Sequence, residues 1–140
     1  MTPDQIALVR AGFRRAGTDA DGFAAAFYAR LLSASPGLAP LFAQTDMDAQ
    51  RGKLVAVLAF VVNGLDRPET ILDPARALAR RHVGYGVEAA HYPLVGAALV
   101  DALGERLGDA FTHEARAAWI AAYRLLSGVM IAAAEDARAA

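Results

Sequence analysis

The run Ala79-Arg80-Arg81-His82-Val83-Gly84-Tyr85-Gly86-Val87 decides how the rest of this chain is read. His82 closes a stripe that begins with Ala75, Leu78 and Ala79, residues three and four apart, as one face of a helix requires. Gly84 and Gly86 then end the helix. An imidazole at the end of an apolar stripe is either a core histidine satisfied by a hydrogen bond or a metal ligand, and the stripe alone fits both. The other two histidines fit a ligand less well. His91 falls in the first turn of a helix, and His113 follows a Thr112 cap, where exposure to solvent is expected.

Outward from that run the chain is punctuated as helices. On the N-terminal side, Asp73-Pro74 predicts the start of the His82 helix. Before it, Gln50, Lys53, Leu54, Val57, Leu58 and Val61 share one face, stopped by Asn63-Gly64 and preceded by a polar loop from Ala43 to Asp48. Ser35-Pro36 repeats the cap-plus-proline signal and opens a short helix ending near Phe42. An earlier helix carries Phe23, Phe27, Tyr28, Leu31 and Leu32 inward, after a break from Gly17 to Gly22. The first helix starts on the Thr2-Pro3-Asp4-Gln5 capping box and buries Ile6, Val9 and Phe13. On the C-terminal side, a helix of roughly 20 residues from about Ala89 presents Tyr92, Val95, Leu99 and Leu103. Thr112 caps the last one, which turns Trp119, Tyr123, Leu126 and Met130 inward. The alanine-rich tail from residue 137 is expected to fray.

Composition narrows the class. With 140 residues, 56% of them hydrophobic and 21% charged, the chain reads as one folded domain spanning 1–140. No alternating strand pattern stands out, so the expected class is all-α. No cysteine is present, which excludes disulfides, iron–sulfur clusters and thiolate zinc sites. The net charge of −1 comes from interspersed charges, with no basic stripe for a nucleic acid. The N-terminus lacks the pattern of a signal peptide, and the longest apolar stretch, Leu54 to Val62, falls short of the roughly 20 residues needed to span a bilayer. A cytoplasmic location with no membrane partner is therefore expected.

Several landmarks resemble a known family. Ser35-Pro36 followed by Pro40-Leu41-Phe42 looks like the short helix and corner phenylalanine of globins. Arg80-Arg81-His82 followed by Gly86-Val87 resembles the proximal segment of bacterial haemoglobins, flavohaemoglobin globin domains and neuroglobin-like proteins. His91-Tyr92-Pro93-Leu94-Val95-Gly96 is similar to the start of the next helix in the bacterial members, and Phe111-Thr112 through Ala118-Trp119 and Tyr123 looks like their final helix. The landmarks run in order over nearly the whole chain. The resemblance implies a globin fold of seven to eight helices packed around a haem.

What the resemblance implies can be carried over residue by residue. The cofactor is haem b, iron protoporphyrin IX, with His82 as the iron ligand. Phe42 stacks on the porphyrin, and Leu54, Val57, Leu78, Val87, Val95 and Leu126 line the slot. Lys53 and Arg81 stand at the rim, where cations meet the haem propionates. As residues alone, the apolar positions fit ordinary core, the two cations fit solvated charges, and Gln50 fits a helix start. On the gas side the resemblance places Tyr28 and Gln50, two donors whose hydrogen bonds to a ligand contribute about 1–3 kcal/mol each. No histidine lies on the Gln50 helix to close the sixth iron position, leaving Lys53 or Tyr28 as weak alternatives in the ferric state. Tyr92 matches a tyrosine that flavohaemoglobins set beside the proximal histidine. The glutamate they pair with it falls here on Ala134, with Glu135 one residue later, roughly 100° around a helix.

The implied function is reversible binding of O2, NO and CO, for storage or transport. Nitric oxide dioxygenation is implied only with an external reductase, since no flavin or nicotinamide motif is visible. The chain is expected as a monomer or homodimer. The rival reading is a sensor or a haemless globin-like interaction module, and a Soret band in the purified protein separates the haemless case.

Overall fold

The computed structural model describes residues 1–139. They form α1 (Pro3–Ala16), a 3₁₀ turn (Gly17–Asp19), α2 (Ala20–Ala34), a 3₁₀ segment (Pro36–Phe42), α3 (Met47–Asn63), α4 (Glu69–Gly84), α5 (His91–Leu107), a 3₁₀ turn (Gly108–Ala110) and α6 (His113–Ala139). The all-α class holds, with six α-helices among the described residues where seven to eight helices were expected. The missing one is the Pro36–Phe42 segment. Pro36 and Pro40 have no N–H, and Pro40 lies inside the segment, so it winds as i→i+3 turns such as Leu38 N–H to Ser35 O at 3.0 Å.

Most helix ends are made by the residues that the sequence marks. Thr2 Oγ1 accepts from the Gln5 N–H at 3.1 Å while Gln5 Oε1 accepts from the Thr2 N–H at 3.0 Å, a closed capping box. Asp46 caps α3 through the Asp48 and Ala49 N–H groups, and Thr112 caps α6 through that of Ala115 at 3.1 Å. α4 departs from expectation. It begins at Glu69, so Pro74 lies inside it instead of at its start. Ile71 is buried at 3% exposure, and its packing holds the turn ahead of the proline in the helix, although Pro74 donates no bond. α6 runs on through Ala139, where fraying from 137 was expected, and Arg138 Nη2 donates to the Val87 carbonyl at 2.6 Å. Residue 140 lies outside the described residues.

The core gathers around Val9, Phe23 and Leu103. α6 packs on α4, α1 and α5, α2 packs on α5 and α3, and α3 also touches α1. α3 and α4, consecutive in the chain, make at most a marginal contact with each other. α6 has an 18-residue window of mean hydropathy 1.5, long and apolar enough to cross a membrane by length and composition. That window is interrupted by Arg124, and Leu54–Val62 remains the longest unbroken apolar run. Here Ala118, Trp119, Ala122, Met130 and Ala134 of that helix are buried in the fold.

Candidate functional site

Two groups of side chains stand out, one joining α2 to α3 and one at the end of α4. The first begins on α2, whose buried face of Phe23, Phe27 and Leu31 carries Tyr28 inward to 7% exposure. Gln50, in the first turns of α3, donates from Nε2 to Tyr28 Oη at 3.0 Å. Phe27 and Phe42 meet the Tyr28 ring edge-on, with centroids 4.9 and 5.6 Å away. Burial pushes the Tyr28 pKa up, outweighing the lowering by the Gln50 bond, so the phenol stays protonated at neutral pH. Because Oη accepts from Gln50, the phenol's own proton remains free to donate elsewhere.

The second group is built by the end of α4. His82 Nδ1 lies 2.8 Å from the Leu78 carbonyl, so that nitrogen carries the proton and Nε2 keeps a lone pair. Burial lowers the His82 pKa; the Leu78 bond opposes this and the Arg81 charge adds to it. The imidazole is neutral and has one free donor atom. After Gly84 the chain closes a Schellman cap: Gly86 N–H bonds Val83 O at 3.1 Å and Val87 N–H bonds His82 O at 3.0 Å. Gly86 takes φ +92°, which only glycine adopts freely, and the cap folds Val87 back over the His82 turn. No hydrogen bond or ring pair joins the two groups.

Phe42, Leu54, Val57, Leu78, Val87, Val95 and Leu126 are half-buried at the edge of the core, unlike their fully buried neighbours. Lys53 and Arg81 are exposed, and neither enters an ion pair among the described residues. Tyr92 is buried and its Oη has no partner, while its carbonyl accepts from Tyr123 Oη at 2.5 Å. Ala134 is 2% exposed and Glu135 is exposed, so the carboxylate points away from the interior. His91, the first residue of α5, accepts from the N–H of Glu88 in the preceding loop at 2.9 Å, and His113 is exposed, as expected for it.

One residue escaped the sequence reading. The Tyr85 ring, 66% exposed, stands 6.1 Å from the His82 ring with the planes tilted by 51°. The i, i+3 spacing was the available signal.

Among the described residues, no group of three or more His, Cys, Asp or Glu side chains could hold a metal ion. A metal bound at His82 must therefore bring its other ligands with it, as iron in a macrocycle does.

Comparison with known proteins identifies the family. The Globin family model matches residues 25–130. Flavohemoproteins of Bordetella pertussis and Deinococcus radiodurans are 34% and 35% identical over 94% of the chain, which covers 33% of each of them. The chain thus spans about one third of the length of these curated relatives. A bacterial globin of Campylobacter jejuni superposes with TM-score 0.88 over 99% of this chain and all of that one, at 21% identity. An engineered carbene transferase of Rhodothermus marinus, from a chain named for nitric oxide dioxygenation, superposes with TM-score 0.89 over 99% of this chain and 96% of that one, at 27% identity. The chain belongs to the globin family.

Proposed function

We propose that this chain, as a single globin domain, holds one haem b through His82 and reversibly binds O2, NO and CO beside Tyr28 and Gln50. Family membership implies the haem. The observation that carries the reading is the neutral His82 imidazole, with Nδ1 engaged by the Leu78 carbonyl and Nε2 free to bind iron. The residues fit the group. A flat apolar macrocycle suits the gap between α3 and α4, which make at most a marginal contact, beside the half-buried Phe42, Leu54, Val57, Leu78, Val87, Val95 and Leu126. Lys53 and Arg81 are exposed cations available to its propionates. The absence of cysteine rules out thioether attachment.

Haem, when held, would supply an iron at which a diatomic gas can bind. The chain supplies what surrounds that site. Gln50 orients Tyr28, leaving a phenol O–H that donates to partial negative charge on the gas and slows its release. On the other side, the backbone bond from His82 to Leu78, with Ala134 buried in place of a carboxylate, leaves the imidazole only weakly electron-rich. That favours reversible binding over peroxide cleavage. Repeated nitric oxide dioxygenation, which the names of similar proteins support, would draw its electrons from a reductase outside these 140 residues.

The test is spectroscopic. The purified protein should show a Soret band, and His82→Ala should lose the five-coordinate ferrous spectrum of histidine type. Unchanged haem retention and an unchanged ferrous spectrum in that variant overturn the assignment.

A further inference from the structure

We propose that Arg51 is a positioning residue of the gas site, whose ion pair with Asp21 holds Gln50 in register with Tyr28. This rests on the reading of Tyr28 and Gln50 given above and names what sets their geometry. The two residues come from different helices, so their bond lasts only while the start of α3 keeps its place beside α2. Packing does little to keep it there. The fully buried residues of α3 are Leu58, Val61 and Val62, and the turns from Met47 to Val57 contain none. Gly52, just beyond Gln50, weakens the helix further, and no atom lies within 4 Å of where its Cβ would stand. A helix end with so few buried contacts is the kind that opens locally. Each opening would carry Gln50 off Tyr28.

Arg51 supplies the tie that packing omits. Its Nε donates to Asp21 Oδ1 on α2 at 2.8 Å, and its Nη2 donates to Asp48 on its own helix. The rigid fork of the guanidinium serves both carboxylates at once. The first bond crosses between the helices, and the second holds the side chain in the orientation that the crossing needs. At 22% exposure Arg51 is the most covered of the ion-paired arginines among the described residues.

The placement of the pair explains its leverage. Among the described residues, Gln50–Tyr28 and Arg51–Asp21 are the side-chain hydrogen bonds that join α2 to α3. Gln50 and Arg51 are neighbours in sequence, while Asp21 and Tyr28 stand seven apart, about two turns along one face of α2. Two attachments separated along α2 fix the direction of α3 as well as its distance. With the Tyr28 bond alone, the start of α3 is free to pivot.

The experiment uses the haem-loaded protein and reads oxygen dissociation by stopped flow and the C–O stretch of the carbon monoxide complex by infrared spectroscopy. Arg51→Ala should speed oxygen dissociation about two- to fivefold, the range open to an ion pair of this exposure. It should also add a higher-frequency C–O band, from molecules in which the phenol no longer faces the gas. Asp21→Asn, an isosteric change at an exposed position, cuts the cross-helix arm and should reproduce both changes. Asp48→Asn cuts the arm within α3 and should stay within about twofold of the parent. In a Gln50→Leu background, Arg51→Ala should change the rate by less than about twofold, because the residue it positions is gone. An equal effect of Arg51→Ala with and without Gln50 would mean that Arg51 acts by general destabilisation, which overturns the proposal. An Arg51→Ala protein with the parent's rate and infrared spectrum overturns it too, as does an Asp48→Asn effect as large as that of Asp21→Asn. A Tyr28→Phe protein with the parent's rate overturns the gas-site reading underneath, and a protein with no Soret band overturns the haem reading itself.

Discussion

Replacing Gly96 by alanine sets two effects of opposite sign against each other. Gly96 lies within α5, and helix propensity favours alanine there by about 1 kcal/mol. The structure opposes this: a Cβ at residue 96 would lie 2.6 Å from Tyr123 Cε2 and 2.8 Å from Cδ2. Carbon atoms pack at about 3.5–4.0 Å, so the ring must retreat by about 1 Å. It is held in place, because Tyr123 Oη donates to the Tyr92 carbonyl at 2.5 Å. Overpacking of this kind costs about 1–3 kcal/mol, and losing the hydrogen bond adds about 1 kcal/mol. After the propensity gain, Gly96→Ala should destabilise by about 1–3 kcal/mol, or about 4–10 °C in Tm for a domain of this size. Gly128→Ala is the matched control: in α6, with no atom within 4 Å of the new Cβ, it should stabilise by about 0.5–1 kcal/mol. Urea unfolding by circular dichroism at matched haem content measures both, read as a shift in midpoint at constant m. A Gly96→Ala protein as stable as the parent would show that the Tyr123 ring yields freely and would refute the steric argument.

Three further outcomes follow from the geometry. Tyr28→Phe removes the free phenol proton and should speed oxygen dissociation at least about tenfold, equivalent to 1.4 kcal/mol; stopped-flow rates within a factor of two of the parent would show that Tyr28 does not touch the ligand. Ala134→Glu places a carboxylate at a buried position on α6 and should raise the iron–histidine stretch in resonance Raman spectra, from a storage-like value in the parent; a peroxidase-like stretch already present in the parent would count against a backbone-only bond to His82. The Asp66 pKa is lowered chiefly by its hydrogen bond to Arg10, so the stability from that bond is present above the ordinary carboxylate value and is lost as pH falls through the lowered one. Asp66→Asn should therefore differ from the parent in urea titrations at neutral pH and converge with it in acid; a constant difference would mean that the carboxylate's charge is not what counts.

The features legible in the sequence are those whose causes lie within a turn or two. The Thr2–Gln5 box, the Thr112 cap and the glycine stop after His82 need only neighbouring residues, and they stand where the sequence put them. The step from Ala134 to Glu135 was equally readable, because a helix rotates by a known angle and the two residues are buried and exposed accordingly. Longer-range features were not. Tyr28 and Gln50 bond across 22 residues, and only the family resemblance set them together beforehand. Asp73-Pro74 reads locally as a helix start, yet the burial of Ile71 carries α4 a turn further back. The Gly84-Tyr85-Gly86 run announces a helix end without revealing which way the tyrosine ring turns.

The marginal contact between α3 and α4 has a consequence for how such a chain survives in a cell. On the haem reading, seven of the half-covered apolar side chains, Phe42, Leu54, Val57, Leu78, Val87, Val95 and Leu126, complete their burial only against a molecule that the fold must acquire. Its stability then depends on supply: a ligand present at a hundredfold excess over its Kd adds about 2.7 kcal/mol, and one that is absent adds nothing. Under cofactor starvation the same polypeptide opens more often along the seam between those helices, and proteases read the opening. Abundance would then track haem availability with no change in transcription.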